Sequence, residues 1–119
     1  MKRKIKNICF DIDGIICTVN KSNNYKKSKP IKKNIEFINN LYNSGYTITL
    51  HTARYMGRYK NNRKIAEKKI KRFTVKQLSD WNLKYHSIFF GKPSFDLVID
   101  DKSLFYDKKW ISKLKRYIN

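Results

Sequence analysis

Four of the nine acidic residues in this 119-residue chain form two close pairs, Asp11/Asp13 and Asp100/Asp101. Each pair directly follows an apolar, β-prone run, at residues 5–10 and 95–99. In parallel α/β sheets, ligands bind just beyond the carboxyl ends of the strands, so we expect both pairs at one site. Mg²⁺ takes oxygen ligands, usually one or two carboxylates with water and substrate phosphate. The two pairs therefore predict a magnesium site built around a nucleophilic aspartate.

The segments around these pairs alternate between strand and helix patterns. After the first strand, the polar residues 14–29 predict a small flap, and Pro30 opens a helix that Gly45 ends. Further strands are predicted at residues 46–51, 86–90 and 95–99, with helices at 63–81 and 110–118. This order predicts a single α/β domain over residues 1–119. We expect a Rossmann-like three-layer sandwich around a parallel sheet of about four strands.

Composition indicates the cellular location, the state of the cysteines and the possible partners of the protein. The chain has no run of about 18 apolar residues and no signal-peptide pattern, which favours a soluble cytoplasmic protein without a membrane partner. Cys9 and Cys17 form no metal-binding or redox motif and are predicted to be reduced and structural. The net charge of +19 is compatible with a nucleic-acid partner. However, Lys, Asn, Ile and Tyr are abundant together, which also fits a compositional bias of the whole sequence.

Four short motifs carry a family resemblance when they are taken together and in order. They are Phe10-Asp11-Ile12-Asp13-Gly14, Leu50-His51-Thr52, Gly91-Lys92-Pro93 and Val98-Ile99-Asp100-Asp101. This set resembles the motifs of the haloacid dehalogenase-like (HAD) hydrolase superfamily. The resemblance implies a HAD-like fold and a magnesium-dependent phosphatase that works through an aspartyl-phosphate.

The resemblance also implies a role for each motif residue. Asp11 would attack phosphorus, and Asp13 would act first as general acid and then as general base. Thr52, with its neighbour Ala53, and Lys92 would bind the phosphoryl group. Asp100 would bind Mg²⁺ with the Asp11 carboxylate and the Asp13 backbone carbonyl, and Asp101 would act through a metal-bound water or by orienting Lys92.

Several roles stay open from the sequence. Arg54 is either a second clamp for the substrate phosphate or a surface charge. His51 and His86 lie within predicted strands, without partners at a catalytic spacing, and are expected to be structural. Ile15 departs from the superfamily pattern, which usually has Thr or Val there, and removes only a hydroxyl group.

The closest likeness within the superfamily is to small bacterial capsular biosynthesis phosphatases, through Thr52-Ala53-Arg54 and Asp100-Asp101-Lys102. The phosphatase domain of polynucleotide kinase-phosphatases is also similar in its short layout. The chain has no room for a cap domain, so the open site would admit a bulky phosphoester or be closed in a homo-oligomer.

The motifs, the charge and the family resemblance leave three alternative functions. The first is a phosphomonoesterase acting on a sugar-phosphate-like metabolite, as a small molecule or on a carrier. The second is a phosphatase for the 3′ end of a polynucleotide. The third is a non-catalytic, polyanion-binding module that keeps the fold.

Overall fold

The computed structural model describes residues 4–22 and 24–118. Residues 1–3, 23 and 119, which include the basic amino-terminal residues and one position of the predicted flap, lie outside the described part. The fold is α/β. Its strands are β1 (Asn7–Asp11), β2 (Thr47–Thr52) and β3 (Ser87–Phe90), and its helices are α1 (Lys32–Asn43), α2 (Arg63–Asp80) and α3 (Trp110–Lys115). A short 3₁₀ helix spans Tyr25–Lys27.

Both long helices form where the sequence predicts them. In α1, the buried residues Ile35, Ile38 and Leu41 recur at helical spacing. The helix ends at Asn43, with Ser44 as its C-cap before Gly45, whose φ is +97°. In α2, the Asn62 side chain caps the helix by accepting a hydrogen bond from the backbone N–H of Ile65 at 3.2 Å. These local signals explain why the helix boundaries agree closely with the sequence pattern.

The three strands form a parallel sheet in the order β1-β2-β3. Asp11 at the end of β1 is in register with His51 of β2, and His51 is in register with Phe89 of β3. The three carboxyl ends therefore lie at one edge of the sheet, as the sequence predicts. The chain moves from strand to neighbouring strand through α1 and then α2, as expected for right-handed crossovers.

The helices pack against one face of the sheet. Phe10, Ile48 and Leu50 point to this face and join side chains from all three helices in one core cluster. The ring of Trp110 in α3 contacts the rings of Phe10 and Phe37 edge-to-face, at centroid distances of 6.1 and 5.5 Å. The opposite face carries Cys9, Thr49, His51 and Phe89, none of which is buried. The third layer of the predicted sandwich is not observed in the described residues.

The predicted fourth strand is not formed in the described residues. Residues 95–99 have no regular secondary structure, and Leu97 and Ile99 are 80% and 94% exposed. Strand propensity reports how well side chains suit a pleated surface, and a strand also needs a partner edge. The described residues pair this run with no edge, so they form a sheet of three strands where the pattern predicts about four. Among the described residues, no helix combines the length and the apolar character needed to cross a membrane.

Candidate active site

The centre of the site is an ion pair between the ends of two strands. Asp11 is the last residue of β1, and Lys92 follows β3 directly after Gly91. The Lys92 Nζ atom lies 3.3 Å from Asp11 Oδ2, and the Lys92 backbone N–H donates to the carbonyl of Thr52 at 3.1 Å. This backbone hydrogen bond continues the pairing of β2 and β3 beyond Phe90. It places the lysine beside the carboxylate predicted to be the nucleophile.

The Asp11 carboxylate is partly buried, carries a shifted pKa and is still accessible to a ligand. Burial raises the pKa of Asp11, and the nearby charge and hydrogen bond of Lys92 oppose that rise. The backbone N–H of Ile12 donates to Asp11 Oδ1 at 3.0 Å. The Asp11 side chain remains 37% exposed, so a ligand can approach its free lone pairs.

His51 is the neighbour of Asp11 on the face of the sheet without helices. Burial lowers the pKa of His51, and the charge of Lys92 lowers it further, while Asp11 raises it. The net shift favours the neutral imidazole, which flanks the Asp11–Lys92 pair. The structural role expected for His51 stays a prediction.

Asp13 is held by the guanidinium of Arg54 in a two-pronged ion pair. Arg54 Nε donates to Asp13 Oδ2 at 3.0 Å and to Oδ1 at 3.2 Å, and Nη2 donates to Oδ1 at 3.0 Å. Such a planar fork fixes both the position and the orientation of a carboxylate. The Asp13 side chain is 21% exposed, whereas the Arg54 side chain is 0% exposed.

The surroundings of Arg54 use its remaining donors. Nη1 donates to the hydroxyl of Thr74 in α2 at 3.1 Å, and Nη2 also donates to Cys17 Sγ at 3.6 Å. The ring of Tyr25 covers the guanidinium at 4.6 Å. Because the Arg54 side chain is buried, its assignment as a surface charge is wrong, and its role as a substrate clamp stays a prediction. In this structure the guanidinium is occupied by Asp13, Thr74 and Cys17, and it holds the Asp13 carboxylate in one orientation.

Thr52 and Ala53 lie between the two ion pairs. Thr52 is 1% exposed, and its Oγ1 accepts a hydrogen bond from the backbone N–H of Arg54 at 3.0 Å. Its hydroxyl hydrogen remains for donation, but the side chain is buried in this structure. Ala53 is half-buried, and its carbonyl accepts from the backbone N–H of Met56 at 2.9 Å. The structure thus brings Thr52 and Ala53 to the site edge without exposing the threonine.

The predicted flap begins with a tight turn at Gly14. Its φ of +94° lies in the left-handed region that glycine adopts without strain, and its N–H donates to the carbonyl of Cys17 at 2.8 Å. The loop closes where the Thr18 N–H donates to the Lys29 carbonyl at 2.9 Å. Its far side is fixed to α2, because Gln77 Nε2 donates to the Tyr25 carbonyl at 2.7 Å. The flap therefore covers the Asp13–Arg54 pair.

The second aspartate pair is not brought to the first. Asp100 and Asp101 are exposed, and Asp100 accepts a local hydrogen bond from the Lys102 N–H at 2.8 Å. Within residues 4–22 and 24–118, no group of three or more His, Cys, Asp or Glu residues could hold a metal ion. The predicted metal set of Asp11, Asp13, Asp100 and Asp101 is not assembled because the run before Asp100 does not join the sheet.

Cys17 and Thr74 are site residues that the sequence did not indicate. Burial raises the pKa of Cys17 to about 12, so the thiol stays protonated beside Asp13. The expectation of reduced cysteines agrees with the structure, in which Cys9 and Cys17 are free. Thr74 lies on the buried face of α2, where no local signal separates a hydrogen-bonding threonine from a packing residue.

Comparison with known proteins supports the fold rather than an activity. No family model matches the sequence, and a search of curated proteins finds no match. Among solved structures, the chain is similar to a target protein from Vibrio cholerae, with a TM-score of 0.73 and 25% sequence identity. The match covers 94% of this chain and 98% of the Vibrio cholerae chain. The similarity therefore extends over nearly the whole length of both chains.

Proposed function

We propose that the protein is a phosphomonoesterase of HAD type, in which Asp11 forms an aspartyl-phosphate. The observation that carries this proposal is the meeting of Asp11 and Lys92 at 3.3 Å across the ends of separate strands. A second carboxylate, Asp13, lies two residues further along and is fixed by Arg54. A partly exposed carboxylate, a cation beside it and a second oriented carboxylate are the groups that phosphoryl transfer by an aspartate requires.

In the first step, an Asp11 carboxylate oxygen attacks phosphorus, and the bond from phosphorus to the ester oxygen breaks. Lys92 offsets the negative charge on the phosphoryl oxygens. Asp13, which begins the cycle protonated, gives its proton to the departing alkoxide and becomes the carboxylate that Arg54 pairs with. The Oδ2 atom of Asp13 suits this transfer because it accepts one donor, Arg54 Nε, whereas Oδ1 accepts two guanidinium donors.

In the second step, water attacks phosphorus and the Asp11–phosphoryl bond breaks. Asp13 takes the proton of the attacking water, which restores the starting state of both carboxyl groups. Arg54 acts through Asp13 by keeping its carboxylate in one orientation during both proton transfers. The flap closes over this ion pair, so the orientation does not depend on the substrate.

The described residues do not form the magnesium site that the sequence predicts, and no step above runs through a metal. Asp11 would contribute one carboxylate to Mg²⁺. For Asp100 to bind the same ion, residues 92–107 would have to bring Asp100 next to Asp11. The magnesium requirement is tested separately by titrating Mg²⁺ against the variants Asp100→Ala and Asp96→Ala. If Asp100 is a ligand, its variant should need at least about tenfold more Mg²⁺, and the Asp96 variant should not.

The covalent step is tested with p-nitrophenyl phosphate. Asp11→Asn should remove turnover, because an amide oxygen is a far weaker nucleophile than a carboxylate. The matched control is Asp96→Asn, which makes the same chemical change at an exposed aspartate outside the strands. The covalent intermediate should be trapped on the wild type by rapid acid quench and located by mass spectrometry at residue 11.

Retention of wild-type turnover by Asp11→Asn would exclude the covalent mechanism. Loss of turnover in both Asn variants would show a general effect of lost charge. An inactive wild type that still binds polyanions would favour the non-catalytic module.

A further inference from the structure

One face of α2 carries a dense row of cationic side chains beside a shallow groove. The groove has a volume of about 900 Å³ and is lined by nine residues, six of them cationic: Arg63, Lys64, Lys68, Lys71, Arg72 and Lys76. The other charged lining residue, Glu67, is paired with Lys71 at 3.7 Å. The groove is therefore a strongly positive surface.

Three of these cations are aligned along the helix. Lys64, Lys68 and Arg72 are spaced four residues apart, so they lie on one face and span about 12 Å at 1.5 Å per residue. All three are exposed, and no ion pair is found for them in the part of the chain that the structure describes. Their charge is available to a partner with several anionic groups in a line.

The cationic face begins at the active site. A Cβ atom added to Gly91 would lie 2.1 Å from Arg63 Cγ, so the first residue of α2 packs directly against the backbone beside Lys92. Lys92 in turn contacts Asp11 at 3.3 Å. The amino-terminal end of the positive surface therefore lies at the edge of the sheet where the strands end, beside the residue that precedes Lys92.

Aromatic rings lie at the near end of this surface. The loop from β2 to α2 carries Tyr55 and Tyr59, whose ring centroids are 5.9 Å apart, and Arg58 lies 4.4 Å from the centre of the Tyr55 ring. Both tyrosines are only half-buried. Tyr55 has a φ of +65°, a backbone conformation that side-chain-bearing residues rarely adopt. Half-exposed aromatic rings beside cations are the surface on which nucleobases stack.

We propose that this surface binds a single-stranded nucleic acid whose terminal phosphate is the substrate at Asp11. The phosphodiester backbone would follow Lys64, Lys68 and Arg72, and terminal bases would contact the tyrosines. Net charge alone does not support this assignment, since the whole chain is basic. The support comes from the row of cations, whose first residue in α2 adjoins Gly91, and from the half-exposed aromatic rings of the loop that precedes α2. The proposal rests on the proposed phosphatase function and changes the expected substrate from a sugar phosphate.

The test compares the triple variant Lys64→Ala, Lys68→Ala, Arg72→Ala with a matched control, Lys33→Ala, Lys108→Ala, Lys115→Ala. Both remove equal charge from exposed positions. The substrates are oligonucleotides of about 12 nucleotides, phosphorylated at the 3′ or the 5′ end, and p-nitrophenyl phosphate. On single strands each lost phosphate contact reduces the salt slope by about 0.7, so three reduce it by about 2. Between 50 and 200 mM salt, kcat/KM of the wild type should therefore fall roughly twentyfold more than that of the α2 variant.

Each outcome decides the proposal. A salt slope reduced by about 2 in the α2 variant alone, with p-nitrophenyl phosphate turnover unchanged, supports it. Equal slopes for both triple variants overturn the α2 surface while leaving the phosphatase function intact. If no phosphoester is hydrolysed, the proposed function fails. The surface is then judged by fluorescence anisotropy of a labelled, unphosphorylated oligonucleotide, whose binding the α2 variant alone should weaken. A nucleic-acid partner would be excluded by two results together. Inorganic polyphosphate would displace the labelled oligonucleotide as well as an unlabelled oligonucleotide does at equal phosphate concentration, and the variant Tyr59→Ala would bind the oligonucleotide as tightly as the wild type.

Discussion

Removing the Asp13 carboxylate should destabilise the fold, although Asp13 is predicted to be catalytic. The variant Asp13→Ala leaves the guanidinium of Arg54 buried, with 0% of its side chain exposed, and without the carboxylate that binds Nε and Nη2. Removing one partner of a buried ion pair costs about 3–5 kcal/mol. Because Asp13 itself is 21% exposed and partly hydrated, we expect the lower end, about 3 kcal/mol.

This cost converts into a measurable temperature shift. At about 2.1 cal/mol/K per residue, a chain of this length has an unfolding entropy near 250 cal/mol/K, so about 3 kcal/mol lowers Tm by roughly 12 °C. Urea denaturation followed by tryptophan fluorescence gives the free energy directly. The control Asp96→Ala removes an exposed carboxylate and should change the free energy of unfolding by less than about 0.5 kcal/mol.

A second variant isolates the unpaired charge as the cause. If the buried guanidinium is responsible, Asp13→Ala combined with Arg54→Met should be more stable than Asp13→Ala alone, because the uncompensated charge is gone. Equal free energies of unfolding for Asp13→Ala and Asp96→Ala would refute the argument. A double variant no more stable than Asp13→Ala would show that packing, rather than charge, sets the cost.

Three further predictions concern the strand ends. Burial raises the pKa of Asp11, so the ionised carboxylate disfavours the fold above that pKa. Asp11→Asn should therefore be more stable than the wild type at pH 7, and urea denaturation should show this gain shrinking as pH falls towards 3. Lys92→Met removes the charge that lowers the pKa of both Asp11 and His51. The acid limb of the kcat/KM profile should move to higher pH, and the imidazole pKa measured by NMR should rise. An unchanged His51 titration would contradict the geometry. Gly91→Ala should cost at least about 2 kcal/mol in thermal unfolding, because its φ is +96° and a methyl group would overlap Arg63. Gly45→Ala, with a similar φ of +97° and open space around it, is the control for the overlap.

Local patterns predicted the parts of the fold that local interactions decide. Apolar periodicity and the stop at Gly45 located α1, and alternating β-prone runs located all three observed strands within about two residues. The meeting of Asp11 with Lys92 was also predictable, since parallel strands end at one edge of the sheet. These inferences need only the order of the elements.

The remaining features depend on which tertiary partners are present. The run at residues 95–99 has the composition of a strand, but composition does not show whether an edge receives it. Arg54 follows β2 closely, and the sequence does not indicate that its side chain turns towards Thr74 of α2 and Asp13. Cys17 could be assigned to the core but not to a contact with that guanidinium.

The hydrogen bonds that close the flap determine where the chain can accept inserted residues without disturbing the site. Thr18 and Lys29 join the two ends of the loop, and Asn20 and Asn24 hydrogen-bond to each other across its tip at 2.7 and 2.9 Å. Residues inserted within that tip would not displace Asp13, because the closing hydrogen bonds separate the tip from Asp13. Lengthening such a loop costs only about 0.6 kcal/mol for each doubling of its length. The tip is therefore the place where an inserted segment could reshape access to the site while leaving the carboxylates in position.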